Sequence, residues 1–304
     1  MAWTAITFGR GPVGSRSRER RLGFWLTAPA AAVMLLVTAY PMLYALWLSL
    51  FSYRITDPRG RAFVGLRNYG VILTDALWWQ DVRTTVSITA VTVAAELFLG
   101  LAFALVMHRA AFARRLVRTS ILVPYGITTV VSAFAYRYAF SLDTGFVNGW
   151  LHLGSFAWFG HRWSALLAIC AAEIWKTTPF MSLLLLAGLA QVPEELQEAA
   201  RMDGATPGQR LFRVTLPNMR AAIMVAVLFR TLDAWRIFDS VFVMTAGAQE
   251  TETVSFLAYR QMISRTALGL GAAVSALLFF SAFLVAGLLL KAFRVELGQL
   301  RGEA

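Results

Sequence analysis

Pro193-EELQEAARMDGATPGQRLFRVTL-Pro217 is a polar stretch set between two strongly apolar segments. Its charge keeps it out of lipid, so it divides the apolar chain into parts that must be joined outside a bilayer. Its residues read as two short helices. Pro193 suits a first helical turn, because the N–H it lacks would be unpaired there. Glu194 and Glu195 then lie where the positive end of the helix dipole favours acid. Leu196, Ala199 and Ala200 recur at helical spacing and put small residues on one face. Gly204 ends this helix by turning through positive φ. A second helix fits Pro207 to Val214, with Thr206 as N-cap, and Leu216-Pro217 closes it. The result is an elbow that presents a knob beyond the membrane surface.

Outward from the elbow, the chain of 304 residues is 58% hydrophobic with a mean hydropathy of +0.60, above the 45–50% or so of soluble domains. The formal charge of +11 raises nucleic acid as a partner, but the basic residues lie at the ends of apolar runs, which argues against it. Cys170 is the single cysteine, so an intrachain disulfide is excluded. His108, His152 and His161 show no ligand spacing. No phosphate-binding G-x-x-x-x-G-K-[ST] loop occurs; any ATP and Mg driving this chain are bound by partner subunits, and no metal or cofactor site is expected on it.

The pattern predicts an all-α integral membrane protein of six helices. Residues 1–23 form a basic tail. Residues 24–83 hold the first span and a polar loop. Residues 84–293 hold five further spans, near 84–107, 119–140, 163–191, 219–247 and 268–293, with the elbow at 192–218. Residues 294–304 form a second tail. The first apolar run, Phe24 to about Phe51, is too long for a signal-peptide core and would reach about 42 Å as a helix. Lysine and arginine fall about two to one on the side of the N-terminus, which places both termini and the elbow in the cytoplasm. Part of that surplus can meet anionic lipid heads.

Charges inside the spans are costly and must face protein or water. Arg230, Asp233, Arg236 and Asp239 follow one another at three-residue steps with alternating sign. They read either as a self-paired ladder holding the bundle or as a polar stripe lining a path for a hydroxylated solute. Trp235, Phe238 and Phe242 stand near enough to offer ring faces. Glu173 and Lys176 repeat the i,i+3 pattern before Thr177-Thr178-Pro179, where threonine hydroxyls can satisfy carbonyls freed by proline. Glu96 and Arg137 are interior charges without an assignable partner.

Glu198-Ala199-Ala200, three residues, Gly204, nine residues, then Val214-Thr215-Leu216-Pro217 resembles the EAA motif of ABC importer permeases. Asp203-Gly204-Ala205, Phe212 and the Phe63-VGLRN-Tyr69 segment resemble the carbohydrate members, the maltose-type group. That resemblance implies the type I importer permease fold and alternating access in the cell inner (plasma) membrane. It implies a second homologous permease, a pair of ATPase subunits and an external sugar-binding lipoprotein as partners. Glu198, Ala199, Ala200, Asp203, Gly204, Phe212, Leu216 and Pro217 would then couple to the ATPase, while Arg230, Asp233, Arg236, Asp239 and Lys176 would line the path. RERRLGF at Arg18 to Phe24, LVPYGITTVV at Leu122 to Val131, EIWKTTPFMSLLLLAGLA at Glu173 to Ala190 and LFRTLDAWRIFD at Leu228 to Asp239 narrow the resemblance to trehalose importers. Another sugar, a polyol or glycerol phosphate is the alternative cargo. An ion-coupled transporter relaying through Asp233 and Asp239, and a membrane enzyme, are the rivals of other classes. Thr245-Ala246-Gly247-Ala248-Gln249 stands where the group commonly has T-x-G-G-P, so no role is carried onto that loop.

Overall fold

A computed structural model describes residues 15–109 and 114–293. The basic stretch read at 1–23 is described from Ser15, where it is already helical. Residues 1–14, the 294–304 tail and residues 110–113 lie outside the described residues.

The first helix, α1 (Ser15–Leu48), is followed by a hairpin of β1 (Phe51–Arg54) and β2 (Asp57–Phe63), a short α2 (Arg67–Thr74) and the long α3 (Ala76–Arg109). The polar loop expected at 52–82 is therefore ordered. Phe51 pairs with Phe63 and Arg54 with Asp57 across the hairpin. Asn68 ties it to α2 by donating to the carbonyls of Ser49 and Phe51 at 2.7 and 2.9 Å. The Arg61 guanidinium lies over the Trp47 ring at 4.2 Å, a cation–π contact at the end of α1.

The third span is broken. α4 (Arg114–Leu122) and a short 3-10 turn, Val123–Gly126, meet α5 (Thr129–Ala139) at 89°. Pro124 supplies no N–H to a continuous helix, which accounts for the break near it. A short α6 (Val147–Leu151) leads to α7 (Arg162–Leu189). Beyond the elbow comes α11 (Arg220–Ala234), then α12 (Asp239–Met244), α13 (Val254–Tyr259) with a π turn at Arg260–Ser264, and α14 (Leu268–Ala292). The fifth span is thus interrupted at 235–238. Among the described residues, four helices are long and apolar enough to cross a membrane, or up to six crossings with the bent pairs counted.

Two helices make the centre. α3 and α7 pack along their lengths, and Gly100 on α3 allows it, since a Cβ there would sit 2.8 Å from Met181 Cγ. α11 closes on α7 where Gly188 faces Ala222 too tightly for a side chain. Val93, Met181, Leu185, Leu189, Met219 and Ala226 fill the core at the elbow end. Ile88, Ala133, Ile169, Val241 and Phe256 fill it at the other end. Helix α1 lies outside against α14, with Leu35 and Leu36 exposed. Apolar side chains exposed on a membrane span meet lipid or another span at no hydrophobic cost.

Candidate functional site

The charges of the core meet where α3, α7 and α11 come together. Arg230 is 1% exposed and Glu96 is fully buried. Arg230 grips both oxygens of Glu96 with one edge of its fork, through Nε and through Nη2 at 3.0 Å. Its Nη2 also reaches Glu173 at 3.4 Å, and its Nη1 donates to Asp233 at 2.7 Å. Thr177 donates to Glu96 at 2.7 Å, and Ser240 donates to Glu173. A planar guanidinium with five donors suits this work, because it can satisfy two carboxylates at once. In a medium without water each of these groups alone would be expensive.

The alternating ladder expected from Arg230 to Asp239 does not form. Only its first rung, Arg230–Asp233, is made. The helix ends at Ala234, so Arg236 and Asp239 leave the register that i,i+3 pairing needs. Arg236 donates to the Leu232 carbonyl at 3.3 Å. The Glu173–Lys176 pair is likewise absent. Glu173 turns to Arg230 and Ser240, while the Lys176 ammonium stands 5.7 Å from the Tyr125 ring centroid. The threonines before Pro179 bond the carbonyls of Glu173 and Ile174 at 2.6 Å each. Arg137 donates to the Val243 carbonyl at 2.7 Å.

These residues nevertheless surround one space. A cavity of about 240 Å³ is lined by Tyr125, Thr129, Glu173, Lys176, Thr177, Arg230, Asp233, Arg236, Ile237, Phe238 and Asp239. All five charges read as a path lining are on its wall. The break at 235–238 is what brings Arg236 and Asp239 round to it. Phe238 supplies a ring face and stacks on Phe242, which lies behind. Trp235 does not join them; its indole donates to Ser281 on α14 at 2.9 Å. Tyr125 and Thr129 were missed in the sequence. They flank the bend between α4 and α5, and nothing in their spacing announces that bend. Chemically, the cavity offers donors, acceptors and two aromatic faces, which suits a neutral polyhydroxylated solute.

The elbow forms as two helices joined at a glycine. α8 (Glu194–Met202) starts just after Pro193, which stands at its N-cap with extended ψ of 134°. Gly204 turns at φ +77°, and the Ala205 N–H returns to the Ala200 carbonyl at 3.0 Å. α9 (Pro207–Arg210) opens with a capping box, in which Thr206 and Gln209 each bond the other's backbone N–H. The helical path continues through a π turn, Leu211–Thr215, into α10 (Leu216–Asn218), and bends by 72° into α11. Helix α8 is tied to that π turn by Gln197 donating to Thr215 at 2.8 Å. Phe212 and Met202 project from the elbow, 69% and 87% exposed, and Leu196 is exposed as well. Glu198, Ala199 and Asp203 are also exposed, whereas Ala200, Leu216 and Pro217 are half-buried. Glu198, Arg201, Arg210, His108 and Arg109 share the wall of a cavity of about 550 Å³ at the elbow's root.

Residues 96–295 match the family described as binding-protein-dependent transport system inner membrane component. The chain is 50% identical to the trehalose transport system permease protein SugA of Mycobacterium tuberculosis, over 92% of this chain and 91% of that protein. It is 37% identical to the trehalose/maltose transport system permease protein MalF of Thermococcus litoralis, over 86% and 90%. Its fold is similar to a chain of a bacterial alginate ABC transporter crystallised with an alginate pentasaccharide-bound periplasmic protein. There the TM-score is 0.78 at 18% identity, covering 92% of this chain and 96% of that one. The glutamate of the EAA pattern, the glycine elbow and the broken spans thus lie in a chain that belongs to the family of binding-protein-dependent transport system inner membrane components, as a multi-pass subunit of an ABC transporter.

Proposed function

We propose that this chain is the permease subunit of an ATP-driven importer of trehalose, forming half of the translocation path. The cavity at Arg230 carries the reading: it combines free charged groups with ring faces midway along the bundle. The cargo follows from two relatives whose names specify trehalose. Asp233, Arg236, Asp239 and Lys176 bind the sugar hydroxyls, and Tyr125 and Phe238 cover its apolar faces. Arg230 holds the wall in shape, since most of its donors are taken by Glu96 and Glu173.

The elbow couples that cavity to ATP. Its exposed Phe212, Met202 and Leu196 form an apolar knob rimmed by charge, the anatomy of a docking surface. ATPase subunits that bind ATP and Mg hold this knob from the cytoplasm, so their closure moves α8 and the root of α11 together. Glu198 makes the charged contact and Gly204 keeps the two helices at their angle. A second, similar permease completes the path, and an external sugar-binding lipoprotein delivers the cargo at the end opposite the elbow. Both termini are then cytoplasmic.

Labelled-trehalose uptake in cells deleted for this chain, with and without a plasmid copy, tests the reading. Loss of uptake with rescue by the plasmid supports it. Unchanged uptake in cells with no other trehalose importer overturns the cargo and directs the same assay to other sugars and polyols.

A further inference from the structure

The end of the bundle opposite the elbow holds a second group of charges, which the cavity does not use. α7 spans the distance between them, about 42 Å from Arg162 to Leu189 at the helical rise. Asp81, in the second turn of α3, is fully buried, and among the described residues neither of its carboxyl oxygens has a hydrogen-bond partner. Glu252, 4% exposed, and Arg260 both bear electrostatically on it. Arg260 Nη1 donates to Glu252 Oε2 at 2.8 Å. That single bond leaves Glu252 Oε1 and Arg260 Nε and Nη2 buried and unpartnered. Three acceptor oxygens therefore lie unused around an arginine with two unused donor nitrogens.

The backbone around these groups is under strain and firmly tied. Ala246, Gln249 and Glu250 have φ of 51°, 55° and 58°, in a region that residues with a Cβ avoid. This is the segment that departs from the usual sugar-permease pattern. Its flanks are fixed: the Val254 N–H donates to Thr85 at 3.1 Å, and Arg162 pairs with Glu250 at 2.9 Å. Arg260 opens a π turn, Arg260–Ser264, a rare widened turn that is frequent at functional sites.

A buried carboxylate without partners is destabilising in the conformation that strands it. Arg260, which bears on it electrostatically and has two donor nitrogens unused, supplies the missing donors if α13 shifts against α3. We propose that Asp81, Glu252 and Arg260 form a latch: Arg260 is held by Glu252 alone in the conformation described, and by Asp81 in the alternate conformation of the transport cycle. Asp81 and Arg260 are then positioning residues. They touch no cargo, but they set how readily the end of the path opposite the elbow changes state. The latch rests on reading the chain as a transport subunit.

The test uses the deletion cells above, complemented with wild type, Asp81→Asn or Arg260→Lys. Trehalose uptake is measured against concentration, alongside thermal unfolding of the solubilised complex. The latch predicts that Asp81→Asn lowers the maximal rate by about tenfold or more, with the half-saturating concentration held within about twofold, because the lost bond belongs to one state of the cycle and not to binding. The thermal midpoint stays or rises, since an unpartnered buried carboxyl has been exchanged for an uncharged amide of the same shape. Arg260→Lys keeps the charge, loses the fork and lowers the rate in the same way, so it decides the case if Asp81→Asn fails to insert. Wild-type uptake with an unaffected maximal rate in the variants overturns the latch alone. A midpoint that falls in step with the rate assigns these residues to the fold and also overturns it. If the cargo is another sugar, the same split is read with that sugar. Uptake of no sugar by wild type overturns the transport reading and the latch with it.

Discussion

The elbow and the core cavity are built by opposite means. The elbow is local: Thr206 is capped by Gln209 three residues on, Gly204 turns on its own φ, and Gln197 reaches Thr215 across the turn. The cavity is assembled from α3, α7 and α11, whose charges are distant in sequence; Glu96 and Arg230 are 134 residues apart. A local device can be damaged without unfolding the bundle, whereas a shared buried charge cannot. Variants should therefore separate the two regions by whether stability or transport fails first.

The largest effect is expected at Arg230. Arg230→Met strands Glu96 and Glu173 in the core, and removing one partner of a buried pair costs about 3–5 kcal/mol. Thermal unfolding of the detergent-solubilised protein should show a much lower midpoint or no folded material. Adding Glu96→Gln and Glu173→Gln removes the stranded charges and should restore most of the loss. No recovery in the triple variant would show that the arginine matters for packing rather than charge.

Gly204→Pro comes next and should do the reverse. Proline cannot adopt the +77° φ found there, so the angle between the elbow helices is lost. Uptake should fall to background while the protein still inserts at its normal level, read by membrane immunoblot. Glu198→Ala should follow it, because Glu198 is exposed and makes no ion pair among the described residues. Normal uptake in either variant would remove the coupling role. Thr206→Ala is milder. An N-cap contributes about 1 kcal/mol to its helix, so transport should drop several-fold with the midpoint little changed.

This division also governs what was legible in the sequence. The glycine turn at Gly204 and the cap at Thr206 were read residue by residue, because caps and glycine turns act within a few positions; the stop expected at Leu216-Pro217 does not occur, since the helical path runs on through Asn218. The core was read correctly in composition and wrongly in pairing. Alternating charges at i, i+3 implied a ladder only if the helix continued, but it stops at Ala234 and resumes as α12 at Asp239, packed against α5 and α7. A better signal was present. Glu96 and Arg230 are each buried charges in apolar spans, and such charges must find one another. The hairpin at Phe51–Phe63 was missed for a different reason: the segment is polar and mixed in composition, and part of what holds it comes from Asn68 of the next helix, which bonds the Ser49 and Phe51 carbonyls.

The smallest effect on stability should come from Asp233, and it sharpens the comparison most. Asp233 pairs with Arg230, yet its side chain is 65% exposed, and an ion pair open to solvent contributes about 0–1 kcal/mol. Asp233→Asn should leave the thermal midpoint nearly unchanged, because Arg230 keeps its fork on Glu96. Asp233 lines the cavity, and in the proposed path its carboxylate accepts hydrogen bonds that an amide makes less well. The half-saturating concentration for trehalose should therefore rise several-fold while the maximal rate stays close to wild type, since a uniform contact to the cargo has been weakened. An unchanged half-saturating concentration would make Asp233 a third brace on Arg230. The sugar contacts would then fall to Lys176, Arg236 and Asp239, the groups that the break in the fifth span turns toward the same space.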